Sequence, residues 1–185
     1  MGGQETLLLL ARHPHLLAGA IAFDSVANLA YQYHEFGFLR CNALCIHRWR
    51  EPLGRALQTI ARREIGGTPT TDPRGYALRS PLDYAPQIAR SRTPLELWWS
   101  TDDLIVRNQR LQSGQLFERI RHLNPRAPVE EFVGSWVHTA EMRSTSRLPL
   151  ALAELGLLPR RFDRLPPALH YHPPKAGISA SPPFA

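Results

Sequence analysis

Leu95-Glu96-Leu97-Trp98-Trp99-Ser100-Thr101-Asp102-Asp103-Leu104-Ile105-Val106 decides how the chain folds. A short, mostly apolar run reaches a small residue, and a polar turn with two adjacent acids comes next. Such a run, bounded by turn residues, reads as a buried strand. The strand is expected over 95–99, and it hands Asp102 and Asp103 to the loop at its carboxyl end. The same grammar recurs on both sides. Ala18 to Phe23 reads as a short buried strand ending at Asp24, and Val129 to Val133 as a third, leading into the loop Gly134-Ser135-Trp136-Val137-His138. Between the second and third lies a helix with Leu116, Phe117, Ile120 and Leu123 on its inner face, stopped by Asn124-Pro125. Strands alternating with helices imply crossover connections and a parallel sheet, so the fold class is α/β. In such sheets chemistry gathers just beyond the carboxyl ends of the strands. Asp24, Asp102, Asp103 and His138 all belong to that edge.

Further out, Met1-Gly2-Gly3-Gln4-Glu5-Thr6 runs straight into Leu7 to Ala11 and on to Leu16-Leu17. A helix apolar nearly all round is a buried one. His13 and His15 flank Pro14 at its end, where cationic side chains suit the helix dipole, and they read as structural. Residues 31–65 are richer in aromatics and arginine. Within them Leu53, Leu57 and Ile60 form an apolar stripe while Arg48, Arg55 and Arg62 share another face, an amphipathic helix closed by Gly66-Gly67-Thr68-Pro69. Arg74 to Pro94 is turn-rich and is expected to be irregular. A last helix carries Leu148, Ala151, Leu152 and Leu155. From Pro159 onward the prolyl pairs predict a disordered tail over 159–185.

The 185 residues, 43% of them hydrophobic, suffice for one domain with a real core. No apolar run reaches the ~18 residues of a spanning helix, so no membrane partner is implied. The start lacks a basic and then apolar leader, which makes a cytoplasmic α/β protein the default unless a signal peptide lies upstream. Net charge is +6, from 22 Lys+Arg against 16 Asp+Glu, and Lys175 is the sole lysine. The arginines are scattered from Arg12 to Arg164 with acids interleaved, which argues for a solvated basic surface and against a nucleic-acid partner. Cys41 and Cys45 share a helix face at a spacing that seldom suits a disulfide, and no second cysteine pair completes a zinc site, so they read as two buried thiols. His170-Tyr171-His172 has a metal-like spacing, but it lies in the Pro-rich tail without a carboxylate cluster.

A histidine that takes a proton from a weak nucleophile needs a carboxylate on its other ring nitrogen, to fix the tautomer and stabilise the imidazolium. Asp103 and His138, in two loops at one edge of a sheet, can meet although they lie 35 positions apart. Their contexts carry a resemblance. Trp98 to Val106 resembles the acid-bearing turn of the prolyl oligopeptidase family of α/β-hydrolases, in which the catalytic Asp comes three residues after a small one and a Val three residues later. That alignment selects Asp103 over Asp102. Gly134 to His138 is similar to the family's histidine loop, and Arg79-Ser80-Pro81-Leu82 resembles a stretch upstream of the acid. The order acid, then histidine, fits that of these hydrolases.

The start of the chain extends the likeness. The family's nucleophile elbow has the form G-x-S-x-G-G, and Met1-Gly2-Gly3 resembles the x-G-G immediately after its serine. The resemblance covers about residues 1–158. It implies a partial α/β-hydrolase catalytic domain with residues 31–65 as a cap-like helical insertion. It also implies that Met1, Gly2 and Gly3 are the remnant of the elbow and oxyanion hole. The serine, its strand and the front of the sheet are then missing, and the chain is expected to be the C-terminal part of a serine hydrolase, with little activity alone. The implied substrate is a peptide or an ester, with no metal or organic cofactor. Asp24 is the alternative acid, because some α/β-hydrolases carry the acid after this earlier strand. Ser25 and Ser135 are poor nucleophile candidates, lacking an elbow's glycines or its tight turn. The competing reading is a non-enzymatic binding or scaffold module whose arginine-rich surface meets an acidic partner.

Overall fold

A computed structural model describes residues 2–39, 52–138 and 147–158. Three strands, β1 (Ala20–Phe23), β2 (Leu95–Ser100) and β3 (Val129–Gly134), form a parallel sheet in the order β1-β2-β3. Ala20 pairs with Leu95 and Leu95 with Val129, so the three strands start level and their loops emerge together at one edge. The helices are α1 (Gly2–Arg12), α2 (Leu29–Phe36), α3 (Leu53–Ile65), α4 (Pro73–Leu78), α5 (Ala85–Arg90), α6 (Ser113–Leu123) and α7 (Arg147–Glu154).

Strand alternation sorts the core into two layers. Ala20, Ala22, Leu95, Leu97 and Val129 face α1, α5 and α6, where Leu7, Leu10, Ile88, Leu116 and Ile120 fill the main core. On the other face Phe23, Trp98 and Phe132 line up across the three strands, with Trp98 and Phe132 stacked at 4.2 Å between ring centroids and Ala151 of α7 buried against them. Burial of this aromatic row fixes the register, because a one-residue slip would carry every side chain to the wrong face.

The expected strands and helices are found, with local differences. The first helix stops at Arg12, where Pro14 removes a backbone donor, and Pro14–Leu16 is a 3-10 turn. Its Leu9 is 41% exposed, so the helix is not buried all round, and His13 and His15 lie at the surface. In α3 the buried residues are Gly54 and Ala56, and Ile60 is exposed. Gly66 closes α3 in the left-handed conformation at φ 102, its N–H bonded to the Arg62 carbonyl, which is the conformation only glycine adopts at no cost. Leu123 and Leu148 also face solvent.

The segment expected to be irregular is built of short helices. Asp72 caps α4 by accepting the Gly75 N–H at 2.9 Å, and prolines at the starts of α4, the 3-10 turn Pro81–Tyr84 and α5 preset their first turns. Each is too short to show a hydrophobic period. Ser80 ties them down: its hydroxyl donates to the Tyr76 carbonyl at 2.8 Å and accepts the Leu29 N–H at 3.0 Å. Met1, Arg48, Cys41, Cys45, the 170–172 histidine pair and the tail fall outside the described residues.

Candidate active site

The carboxyl edge of the sheet gathers three loops. Directly after β2, Asp103 folds into a turn in which Oδ1 accepts the N–H groups of Ile105 at 2.8 Å and Val106 at 3.0 Å. This is why an acid with a buried valine three residues on makes a recognisable pattern: the acid caps the backbone that carries the valine. Oδ2 then points away from the turn. It meets His138 Nδ1 at 2.8 Å and accepts a weaker hydrogen bond from Gln109 Nε2 at 3.3 Å. The Asp103 side chain is 1% exposed and that of His138 is 24% exposed. A buried carboxylate on Nδ1 directs the proton there and leaves Nε2 as the free base of the ring.

Asp24 comes to the same place from the end of β1. It is buried, and a carboxylate oxygen of Asp24, one of Asp103 and a ring nitrogen of His138 lie within 4.8 Å of one another. Its Oδ1 accepts the Ser100 N–H at 3.2 Å, and the indole N–H of Trp136 reaches both oxygens, at 3.1 and 3.0 Å. Two acids and an imidazole can also hold a divalent metal. Here the oxygens of both acids accept hydrogen bonds from N–H donors.

Asp102 lies at the surface, where the Ser135 hydroxyl donates to it. Ser25 is buried with its hydroxyl 3.3 Å from that of Ser113. Gly3, in the first turn of α1, passes tightly over the end of β1: a Cβ there would stand 2.7 Å from Ser25 Cβ and 3.1 Å from the Phe23 carbonyl oxygen. Gly2 is different, since a Cβ there would meet nothing within 4 Å. Close backbone approach therefore requires only the second glycine of the pair.

Several supporting residues carried no signal in the sequence. Gln112 Oε1 accepts the N–H groups of Ala27 at 2.9 Å and Asn28 at 2.6 Å, and Gln32 Nε2 donates to the Ile105 carbonyl at 2.8 Å. Together they lash the loop after β1 to the acid turn. The Arg79-Ser80-Pro81-Leu82 stretch is a joint: the Arg79 carbonyl accepts from Gln4 Nε2 at 2.5 Å while its guanidinium pairs with Glu64 at 3.0 Å. Other arginines have separate local partners. Arg12 donates to the Leu78 carbonyl and Arg121 to the Ala127 carbonyl, while Arg107 pairs with Glu35.

The chain matches solved structures over most of its length. The fold is that of the α/β-hydrolases. An acylaminoacyl peptidase of Pyrococcus horikoshii matches with a TM-score of 0.53 at 18% identity, over 88% of this chain and 22% of its own. An acylaminoacyl peptidase in complex with Z-Gly-Gly-Phe-chloromethyl ketone matches with a TM-score of 0.54, again at 18% identity and over the same shares of the two chains. A Pyrococcus furiosus esterase matches at 17% identity and a TM-score of 0.48, over 83% of this chain and 50% of its own. The chain thus spans about a fifth of the length of the peptidases it matches. No protein-family model matches it, and no curated protein does.

Proposed function

We propose that this chain is the C-terminal part of the catalytic domain of a serine hydrolase of the prolyl oligopeptidase type, with Asp103 and His138 as its proton-handling pair. The observation that carries the reading is the 2.8 Å contact between His138 Nδ1 and the buried Asp103 Oδ2, at the carboxyl edge of a parallel sheet. In the working enzyme a serine immediately ahead of Met1 attacks the carbonyl carbon of a peptide or ester. His138 Nε2 takes the hydroxyl proton as the new C–O bond forms, and Asp103 stabilises the resulting imidazolium. His138 then returns that proton to the departing amine or alcohol, leaving an acyl-enzyme that water resolves through the same base.

Two further observations support the serine's position. Gly3 brings the start of α1 against the end of β1, as the turn after an elbow serine requires. Among the described residues β1 pairs with β2 alone, so its other edge is open to the strand that would carry the serine. Met1, Gly2 and Gly3 are read as the remainder of the elbow, the backbone N–H of Met1 serving the oxyanion hole. Residues 31–65 act as a cap. Between the first turn of α1 and helices α2 and α3 lies a cavity of about 90 Å³ whose lining is mostly apolar (Val26, Leu29, Phe36, Leu57 and Ile65 among others) but includes Gln4, Glu5, Glu64 and Arg79, and it is read as room for an acyl or side-chain group.

A fluorophosphonate probe tests the reading. The 185-residue chain is expected to stay unlabelled, and a polypeptide extended upstream to include the serine is expected to label, with His138→Ala abolishing the reaction. Labelling of the 185-residue chain at Ser25 or Ser135 would overturn the assignment.

A further inference from the structure

Besides the Asp103–His138 and Ser135–Asp102 contacts, the loop that carries His138 is tied to the ends of β1 and β2 through Ser100, Trp136 and Asp24. Ser100, the last residue of β2, grips the backbone of Trp136 twice: its hydroxyl accepts the Trp136 N–H at 2.8 Å and donates to the Trp136 carbonyl at 2.6 Å. The Trp136 ring folds back over the end of β3, where a Cβ on Gly134 would overlap it, and this aims the indole N–H at Asp24. Asp24 in turn is held by the Ser100 N–H and sits at φ 44, a left-handed conformation that a non-glycine residue keeps only where its surroundings impose it. Asp24, Ser100 and Trp136 thus close a ring of hydrogen bonds that joins the loops after all three strands. His138 is two residues beyond Trp136.

We propose that Asp24 is a positioning residue for His138, latching the histidine loop through the indole of Trp136 so that the imidazole meets Asp103. This rests on reading His138 and Asp103 as the proton-handling pair, and it gives Asp24 a task of its own beside the acid rather than in place of it. A carboxylate suits the task, because both of its oxygens face one N–H donor and a charged acceptor strengthens the bond. Gly134 suits it too: any larger residue would push the ring off Asp24.

The proton on His138 Nδ1 reports directly on the latch. When bonded to a buried carboxylate, it is expected to give a far-downfield proton resonance that exchanges slowly with water in the 185-residue chain. Trp136→Phe, which removes only the indole donor and keeps an aromatic ring, and Asp24→Asn are each expected to move that resonance upfield and to speed its exchange by about tenfold, the loss of one hydrogen bond. Ser135→Ala, on the same loop, is expected to leave it unchanged. If Trp136→Phe and Asp24→Asn both keep the wild-type resonance, the latch is refuted. Should both variants lose a cooperative melt, Asp24 and Trp136 serve the fold as a whole, and the positioning role is equally refuted. Asp103→Asn separates the two levels. If it leaves the resonance in place, the Asp103–His138 pairing itself fails; if it alone abolishes the resonance, only the latch fails.

Discussion

At the carboxyl edge of the sheet, the buried Asp103 accepts two backbone N–H groups, a glutamine amide and a histidine ring. At the opposite edge, the equally buried Glu96 accepts the indole N–H of Trp98 at 2.8 Å, and its charged neighbours are the like-charged Glu154 and Glu130. Burial, reinforced by those two acids and only partly offset by Trp98, pushes the Glu96 carboxyl from 4.5 up to about 7. Glu131 repeats the device with Trp99 Nε1 at 2.8 Å, and burial raises it too. A single indole donor therefore does not make a sheet interior hospitable to a carboxylate. At the carboxyl edge Asp103 instead meets several convergent N–H donors and the His138 ring. That difference separates a site from a buried acid beside a cavity of about 250 Å³.

Removing the acid from the well-supplied edge has the largest expected effect. In a polypeptide extended to include the serine, Asp103→Asn is expected to lower kcat/KM for an ester by about 10⁴-fold, since the imidazole then holds the wrong tautomer. Asp24→Asn is expected to cost about 10- to 100-fold, the scale of a displaced catalytic group. Equal losses in steady-state assays of the two variants would dissolve the distinction between acid and latch.

On the other edge, Trp98→Ala is expected to destabilise the fold by about 3–5 kcal/mol, because it empties the middle of the aromatic row and strips Glu96 of its donor. Denaturant midpoints check this. Glu96→Gln sharpens the same point through pH. The folded protein holds the Glu96 proton up to about pH 7, whereas the unfolded chain releases it near 4.5. Wild-type stability from this group is therefore full below 4.5 and falls as pH rises through 7. The variant, which keeps an acceptor for Trp98 but cannot ionise, is expected to gain roughly 2–3 kcal/mol on wild type between pH 4 and pH 8. Melting curves across that range isolate Glu96, because Glu131 and Glu154 stay in both proteins. The smallest effects distinguish two adjacent glycines at the carboxyl edge. Gly3→Ala is expected to cost about 1–3 kcal/mol through its clash with Ser25 and the Phe23 carbonyl, while Gly2→Ala, with open space around it, is neutral or gains up to about 1 kcal/mol.

Much of this was legible in the residues. The runs ending at Phe23, Trp99 and Val133 read as strands because each carries apolar residues and then breaks into turn chemistry, and the second and third strands extend one residue further, to Ser100 and Gly134. Asp103 could be told from Asp102 only by resemblance, and the Val106 N–H on its carboxylate supplies the physical reason. The helical stripes over-read burial at Ile60, Leu123 and Leu148, since periodicity says which residues share a face and not whether anything covers it. Contacts between distant segments left no local trace. Gln109 on Asp103, Gln112 on the loop after β1, and Trp136 reaching across to Asp24 are ordinary residues until the sheet brings their loops together. The short helices between Pro73 and Arg90 were hidden for the same reason, being held by Ser80 and by their prolines rather than by a repeating pattern.

Whether Asp103 and His138 serve a serine can be read from the nucleotides directly ahead of the Met1 codon. Codons for Gly-x-Ser, in frame and contiguous with Met1, are expected there. An in-frame stop codon at that point, together with ester hydrolysis by the 185-residue chain itself, would contradict the assignment.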